Sequence, residues 1–295
     1  MKESINIVIL PTFLNRSEYS YELFGYLASD NQVLDIVVLE KLLSKLESKF
    51  KINKFSIEGG DITLLSDLYF DLLFKLLKTY NKKISVVSQF VKYNPALINN
   101  ADIIEVIYNF QNKEICKIEN IEAAVATGKI INIQSYDIFL DNHELGIVDS
   151  LNHLGIKSWK ILPCYITKYS DLTFKGYDFF ENIVQKYLPL SQYMKFSFYN
   201  KLQLDGVIQN NHIRTVYITP SGKFGIGIFN NNQFELIETD NLIELENLLK
   251  KQNEESILYC KNCKSKQQCL ADRYFNYSYQ GKSCCGFKNL IKSIN

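Results

Sequence analysis

The sequence predicts an α/β protein, a parallel sheet with helices packed outside it. Two observations predict it. Apolar strand-like runs alternate with helix-like segments about six times in the first two thirds of the chain. The strand-like runs are also nearly continuous in apolar residues, as parallel strands buried on both faces are. Near residues 199–205 the alternation ends. Strand-like segments with polar turns, Gln209-Asn210-Asn211 and Asn230-Asn231-Asn232, follow and predict antiparallel pairing.

Taken in order, residues 5–10 are a short buried strand, and 11–30 are irregular and rich in Tyr, Ser and Glu. Val38, Leu42, Leu43 and Leu46 at helical spacing predict a helix over 34–50. Residues 52–57 are a strand, and Glu58-Gly59-Gly60-Asp61 a turn. Ser66 caps a helix to Tyr80, with Leu68, Leu72, Leu73, Leu76 and Leu77 expected on one side. A β-branched strand spans 83–91, and Pro95 admits a short helix. Residues 102–110 form a strand, followed by a helix to Thr127 with Gly128 as its C-cap. Strand 130–139, helix 142–154 closed by Gly155, strand 158–166 and helix 174–187 complete the alternation. By itself this pattern suits a doubly wound sheet or a short barrel equally.

Composition is that of an ordinary globular chain: 295 residues, 46% hydrophobic, 22% charged. That length suits two domains, or one large and one small. A net charge of +1 gives no reason to expect nucleic acid or a membrane surface as partner. No apolar run reaches membrane length, and the first residues lack signal-peptide features, so a cytoplasmic, reducing location is expected. There is no P-loop, GxGxxG or GxSxG motif. His143, His153 and His212 have no metal-binding spacing, and Cys116 and Cys164 read as small buried hydrophobes. Glu254-Glu255 reads as solvated.

Five of the seven cysteines, Cys260, Cys263, Cys269, Cys284 and Cys285, fall in the last 36 residues. The Cys260-x2-Cys263 spacing lets one tight turn aim two sulfurs at one point, and the interleaved lysines favour thiolate. Four converging thiolates suit zinc or an iron–sulfur cluster. The alternatives are a disulfide knot or free core cysteines, and disulfides are rare in the cytosol.

Cys260-x2-Cys263-x5-Cys269 resembles the core of the SPASM domain, the C-terminal extension of many radical SAM peptide maturases. The segment Thr215-Val-Tyr-Ile-Thr-Pro-Ser-Gly222-Lys-Phe-Gly-Ile-Gly227 resembles that domain's hairpin, with Gly222 at the family glycine and Gly227 at a family cysteine position. Glu58-Gly59-Gly60-Asp61, with Leu64-Leu65 and a helix after it, resembles the family's Gly-Gly-Glu-Pro segment. The resemblance implies a partial (β/α)6 radical-SAM-like barrel over 1–200 and a small α+β, cysteine-rich SPASM-like domain over 201–295. It implies that the ligands of one auxiliary cluster are gone as a unit. Those of the other remain in Cys260, Cys263, Cys269 and Cys284 or Cys285. One [4Fe–4S] cluster is expected there, with zinc as the alternative.

The family holds its SAM-cleaving cluster with CxxxCxxC in the loop after the first strand. Here no cysteine precedes Cys116. The chain therefore looks like a pseudo-radical-SAM member of the grasp-with-spasm type, and SAM chemistry is not expected of it. The implied function is maturation of a ribosomally made peptide. Its partners would be the precursor peptide and an ATP-grasp ligase or a cysteine-complete radical SAM enzyme. Catalysis by the auxiliary cluster, or a zinc-stabilised scaffold, are the alternative readings. Phe13, Arg16, Glu18, Tyr19 and Tyr21 in the cysteine-free loop suit either an interface or the filling of a vacated cavity.

Overall fold

The computed structural model describes residues 2–14, 32–108, 118–136, 140, 145–156, 158–162, 166–167, 182–183, 185–187, 195–198, 202–203, 214–230 and 233–259. Its first strand, β1 (Ser4–Ile9), sets the pattern: Ile5, Ile7 and Ile9 point one way, Asn6 and Val8 the other. Strands β2 (Lys51–Ile57), β3 (Ile84–Ser88), β4 (Ile103–Ile107), β5 (Ile130–Tyr136) and β6 (Ser158–Leu162) follow it side by side, all parallel. A short β7 (Ile166–Thr167) comes next, and β8 (Lys195–Phe198) joins β6 in parallel. The remaining strands are β9 (Leu202–Gln203), β10 (Arg214–Ile218), β11 (Phe224–Asn230) and β12 (Gln233–Thr239). Among the described residues they make one twelve-stranded sheet in the order β7-β12-β11-β10-β1-β2-β3-β4-β5-β6-β8-β9. The α/β class and its parallel sheet are as the sequence predicts.

Helices occupy the crossovers, and their ends are chemically marked. Asp35 caps α1 (Ile36–Lys49), its Oδ1 accepting from the Val37 and Val38 amides at 2.7 and 3.0 Å. After a single 3-10 turn at Ile62–Leu64, Ser66 caps α2 (Asp67–Lys78) through the Tyr69 amide. Asn94 caps α3 (Pro95–Asn100), with proline at the helix start where no amide hydrogen is needed. Gly128 and Gly155 take positive φ just beyond α4 (Ile118–Val125) and α5 (Leu145–His153), the stop the sequence predicts. The last described helix is α6 (Leu242–Tyr259). No described helix is long and apolar enough to cross a membrane.

The main core lies between these helices and one face of the sheet. Ile5, Ile7 and Ile9, Phe55 and Ile57, Val86, Ile104 and Val106, Ile133 and Trp159 pack there against Leu39, Leu42, Leu43 and Leu46 of α1 and Phe70, Leu73, Phe74 and Leu77 of α2. Burying each large side chain contributes about 1.5–3 kcal/mol.

Four expectations need correction. The central strands are buried on both faces, as expected, but the second face is mixed rather than continuously apolar: Val8, Val87 and Ile107 share it with Ser56, Ser85, Glu105, Gln134 and Lys160. On α2 the buried stripe is centred on Phe70, Leu73, Phe74 and Leu77, so Leu68 and Leu72 are 68% and 46% exposed. The two aromatics at 70 and 74 pull the helix face round, and they outweigh the leucine pattern. Val38 of α1 is likewise 37% exposed. The strand expected over 83–91 stops at Ser88, because Phe90 takes a left-handed φ of 56° and turns the chain.

The hairpin expected around Gly222 is present, with Tyr217 paired to Gly225 and Ile218 to Phe224. Gly222 has φ 71°, and a Cβ there would lie 2.8 Å from a methyl of Val38, so the turn sits directly on α1. β10 extends the sheet from β1, in parallel from Ile5–Arg214 to Ile9–Ile218. Arg214 also pairs with Glu3 at 2.8 Å. Sheet hydrogen bonds therefore cross residue 200.

Candidate functional site

The polar face of the sheet is built by alternation. Because side chains on a strand point alternately up and down, the residues interleaved with the core positions all project to the opposite side. There, Val8, Leu10 and Phe13 form a small separate cluster with Tyr217 and Leu236 against them. Beyond that cluster the lining turns polar. Glu105 stands opposite Val87 of β3 and Asn132 of β5. Gln134 stands opposite Ile107 of β4 and Lys160 of β6. Ile57 pairs with Val86, so the next position aligns Glu58 with Val87. The Glu58 amide donates to the Ile9 carbonyl at 2.9 Å, which keeps it in the sheet. Glu58, Val87, Glu105 and Asn132 thus form one row, and Gln134 and Lys160 belong to the next.

The two carboxylates in that row differ. Lys160 Nζ donates to Glu105 Oε2 at 3.0 Å, with the side chains 18% and 21% exposed. Burial alone would raise the Glu105 carboxyl. The Lys160 charge, its hydrogen bond and the more distant Lys54 outweigh that and hold it below its usual 4.5. Glu58 accepts from Ser56 Oγ at 2.6 Å and pairs with no cation among the described residues. Burial is the main cause that raises its carboxyl, and repulsion from Glu105 adds to it; the Ser56 hydrogen bond and the Lys160 and Lys54 charges offset part. In the next row the buried Gln134 donates from Nε2 to the Tyr136 hydroxyl at 3.2 Å.

The Glu58-Gly59-Gly60-Asp61 turn closes one end of this row. The chain after β1 lies directly on it. The Gly60 amide donates to the Thr12 carbonyl at 2.9 Å, and the Asp61 amide to the Leu14 carbonyl at 2.7 Å. A Cβ on Gly60 would fall 2.2 Å from the Leu14 oxygen, and one on Gly59, at φ 123°, 2.7 Å from the Thr12 oxygen. Close backbone approach explains both glycines. Asp61 is buried and accepts from Thr63 Oγ1 at 2.5 Å.

Phe13 is the described member of the loop set expected to serve as interface or filler, and it is filler: it is buried against Val8 and Leu10. Arg16, Glu18, Tyr19 and Tyr21 lie outside the described residues, as do Cys116, Cys164, Cys260, Cys263, Cys269, Cys284, Cys285, His143 and His212. His153 sits exposed at the end of α5. Among the described residues, no three His, Cys, Asp or Glu converge as a metal site.

The Glu58, Glu105 and Lys160 constellation was not anticipated from the sequence. Its signal was a charge at the centre of each apolar pentad, Ile-Ile-Glu105-Val-Ile and Ser-Trp-Lys160-Ile-Leu. A charge there has to face something other than a hydrocarbon core.

The sequence matches no protein-family model and no curated protein. Its structure is similar to solved ones. Streptococcus suis SuiB bound to S-adenosylmethionine aligns with a TM-score of 0.66 and 13% identity over 94% of this chain and 77% of that one. SuiB bound to its precursor peptide SuiA aligns with a TM-score of 0.58 and 13% identity, over 76% of this chain and 59% of that one. Native anSMEcpe with bound AdoMet aligns with a TM-score of 0.66 and 14% identity, over 98% and 95%. The likeness is one of fold: the radical-SAM-like α/β architecture expected from the sequence is the one this chain adopts.

Proposed function

We propose that this chain is a maturation protein for a ribosomally synthesised peptide. It holds the precursor, or a partner enzyme, without cleaving SAM itself. The observation that carries this reading is the face of the sheet opposite the main core, where Glu58, Glu105 and Lys160 stand on the same side as Gln134 and Tyr136. Such a face presents charge and hydrogen-bonding groups of both signs to a ligand, as peptide recognition requires. SuiB, whose fold this chain shares, binds a precursor peptide, which supports the same ligand class here.

The residues after β1 do not fit a SAM-cleaving cluster. Positions 10–31 contain no cysteine, and the backbone of Thr12 and Leu14 lies on the Gly59-Gly60 turn. The C-terminal donor set does fit a cluster chemically. Cys260, Cys263, Cys269 and either Cys284 or Cys285 would hold one [4Fe–4S] group, which would stabilise the C-terminal segment and offer a redox centre. Free thiols of this density suit a reducing compartment, the cytoplasm. An ATP-grasp ligase or a cysteine-complete radical SAM enzyme would carry out the modification.

The test is binding. A small peptide encoded beside this chain's gene should bind the anaerobically purified protein with a Kd well below about 1 mM. Lys160→Met should weaken that binding. Absence of any such peptide from the neighbouring genes, or no binding, would contradict the reading.

A further inference from the structure

We infer that the outer edge of β12, at residues 236–238, is a docking strand that takes an extended, basic segment of a peptide by strand addition. The inference deepens the peptide-maturation reading above, naming where and in what form the peptide binds, and it rests on that reading.

The hairpin fixes which backbone groups point outward. The Thr219 amide donates to the Lys223 carbonyl at 3.0 Å, and the Gly222 amide to the Thr219 carbonyl at 2.9 Å. Lys223 and Gly225 therefore turn their backbone groups to β10, and by alternation Phe224, Ile226, Ile228 and Asn230 turn theirs to β12. Their partners there are Thr239, Ile237, Glu235 and Gln233. Phe234, Leu236 and Glu238 are left facing away from β11. The short β7 meets the first of them, with Thr167 beside Phe234. Leu236 and Glu238 have no strand partner on that side among the described residues. Their amide hydrogens and carbonyls form the row of donors and acceptors that an added strand completes.

β12 keeps one register with β11 over seven consecutive pairs, without a bulge, and residues 233–239 contain no proline or lysine. Bulges, prolines and lysines are the devices that blunt an edge. β7 shows that the same edge accepts a strand.

Charge selects the occupant. Residues 233–240 hold Glu235, Glu238 and Asp240 and no base, and Glu238 and Asp240 are exposed. Two copies of this edge paired with each other would set acid against acid, which is destabilising. A strand bearing lysine meets opposite charge instead. Leu236, packed against the Val8, Leu10 and Phe13 cluster, gives that strand an apolar neighbour on the same face as Glu238.

The test follows amide hydrogen exchange in the full chain, purified without oxygen, with two blocked probes: acetyl-Lys-Val-Lys-Val-Lys-amide and acetyl-Glu-Val-Glu-Val-Glu-amide. In the free protein the Ile237 amide, bonded to β11, should be protected, and the Leu236 and Glu238 amides should exchange fast. The lysine probe should slow exchange at Leu236 and Glu238 and bind about tenfold tighter than the glutamate probe. Glu238→Pro deletes an outward amide without touching the β11 ladder, and should abolish binding of the lysine probe. The wild-type exchange decides the matter even if that variant fails to fold. Leu236 and Glu238 amides already protected in the free protein would overturn the inference. Protection that rises with protein concentration would give the edge to a second copy, and constant protection would give it to residues of the same chain. Equal binding of the two probes would overturn it as well. A precursor peptide that binds without slowing exchange at these two amides would leave the maturation reading standing and remove this one.

Discussion

Lys160 on β6 reaches across β5 to Glu105 on β4, Nζ to Oε2 at 3.0 Å, and so neutralises one of the two carboxylates in the row that Glu58 and Glu105 share. Removing the lysine leaves Glu105 in one row with Glu58 and with no cation in contact among the described residues. Lys160→Met should cost about 2 kcal/mol at neutral pH, less than a fully buried pair because each side chain keeps some exposure. The sign of the pH dependence follows from Glu105. Its folded carboxyl is held below 4.5, so the stabilisation is present above that value and is lost as the pH falls through the folded one. Urea unfolding of parent and variant at neutral and acid pH should show the difference between them shrinking below 4.5. A constant difference would contradict the pairing.

The two turn glycines make different demands. Gly60→Ala places a methyl 2.2 Å from the Leu14 carbonyl, and backbone cannot step aside cheaply. It should cost about 3 kcal/mol or more and free the loop after β1. Gly128→Ala meets nothing within 4 Å and bears only the strain of its φ of 74°, about 1–2 kcal/mol. Thermal melts of the two variants should rank in that order, and equal melting points would contradict the loop-on-turn contact.

On α2, Leu73→Ala should cost about 2–5 kcal/mol, because Leu73 is fully buried. Leu68→Ala should change stability by about 0.5 kcal/mol or less, because Leu68 is 68% exposed. Chemical denaturation of the pair checks which stripe faces the sheet, and a large loss at Leu68 would contradict the observed face.

Local signals made the fold legible. Ser66, Pro95, Gly128 and Gly155 mark helix ends through capping, a missing amide hydrogen and positive φ, all properties of short stretches. The side of α2 that packs was less legible, since Leu68, Leu72, Phe70 and Phe74 offer two overlapping stripes and only tertiary contact chooses between them. The attachment of β10 to β1 joins residues more than two hundred positions apart, which no local pattern encodes. The polar face of the sheet was hidden for a related reason. Glu105 and Lys160 lie in separate apolar pentads, and their pairing exists only once β4, β5 and β6 are aligned. The turn at Gly59-Gly60 was visible as a motif, but its closeness to Leu14 became evident only in three dimensions.

The central proposal is that this chain serves peptide maturation without cleaving SAM itself. The direct measurement is 5′-deoxyadenosine formation by the reduced, oxygen-free protein, assayed for iron and sulfide in the same preparation. The account predicts about four iron and four sulfide per chain, lost in Cys260→Ser and Cys269→Ser, with no 5′-deoxyadenosine above background. One zinc without sulfide would replace the cluster by a structural metal. Cluster-dependent 5′-deoxyadenosine would contradict the proposal itself.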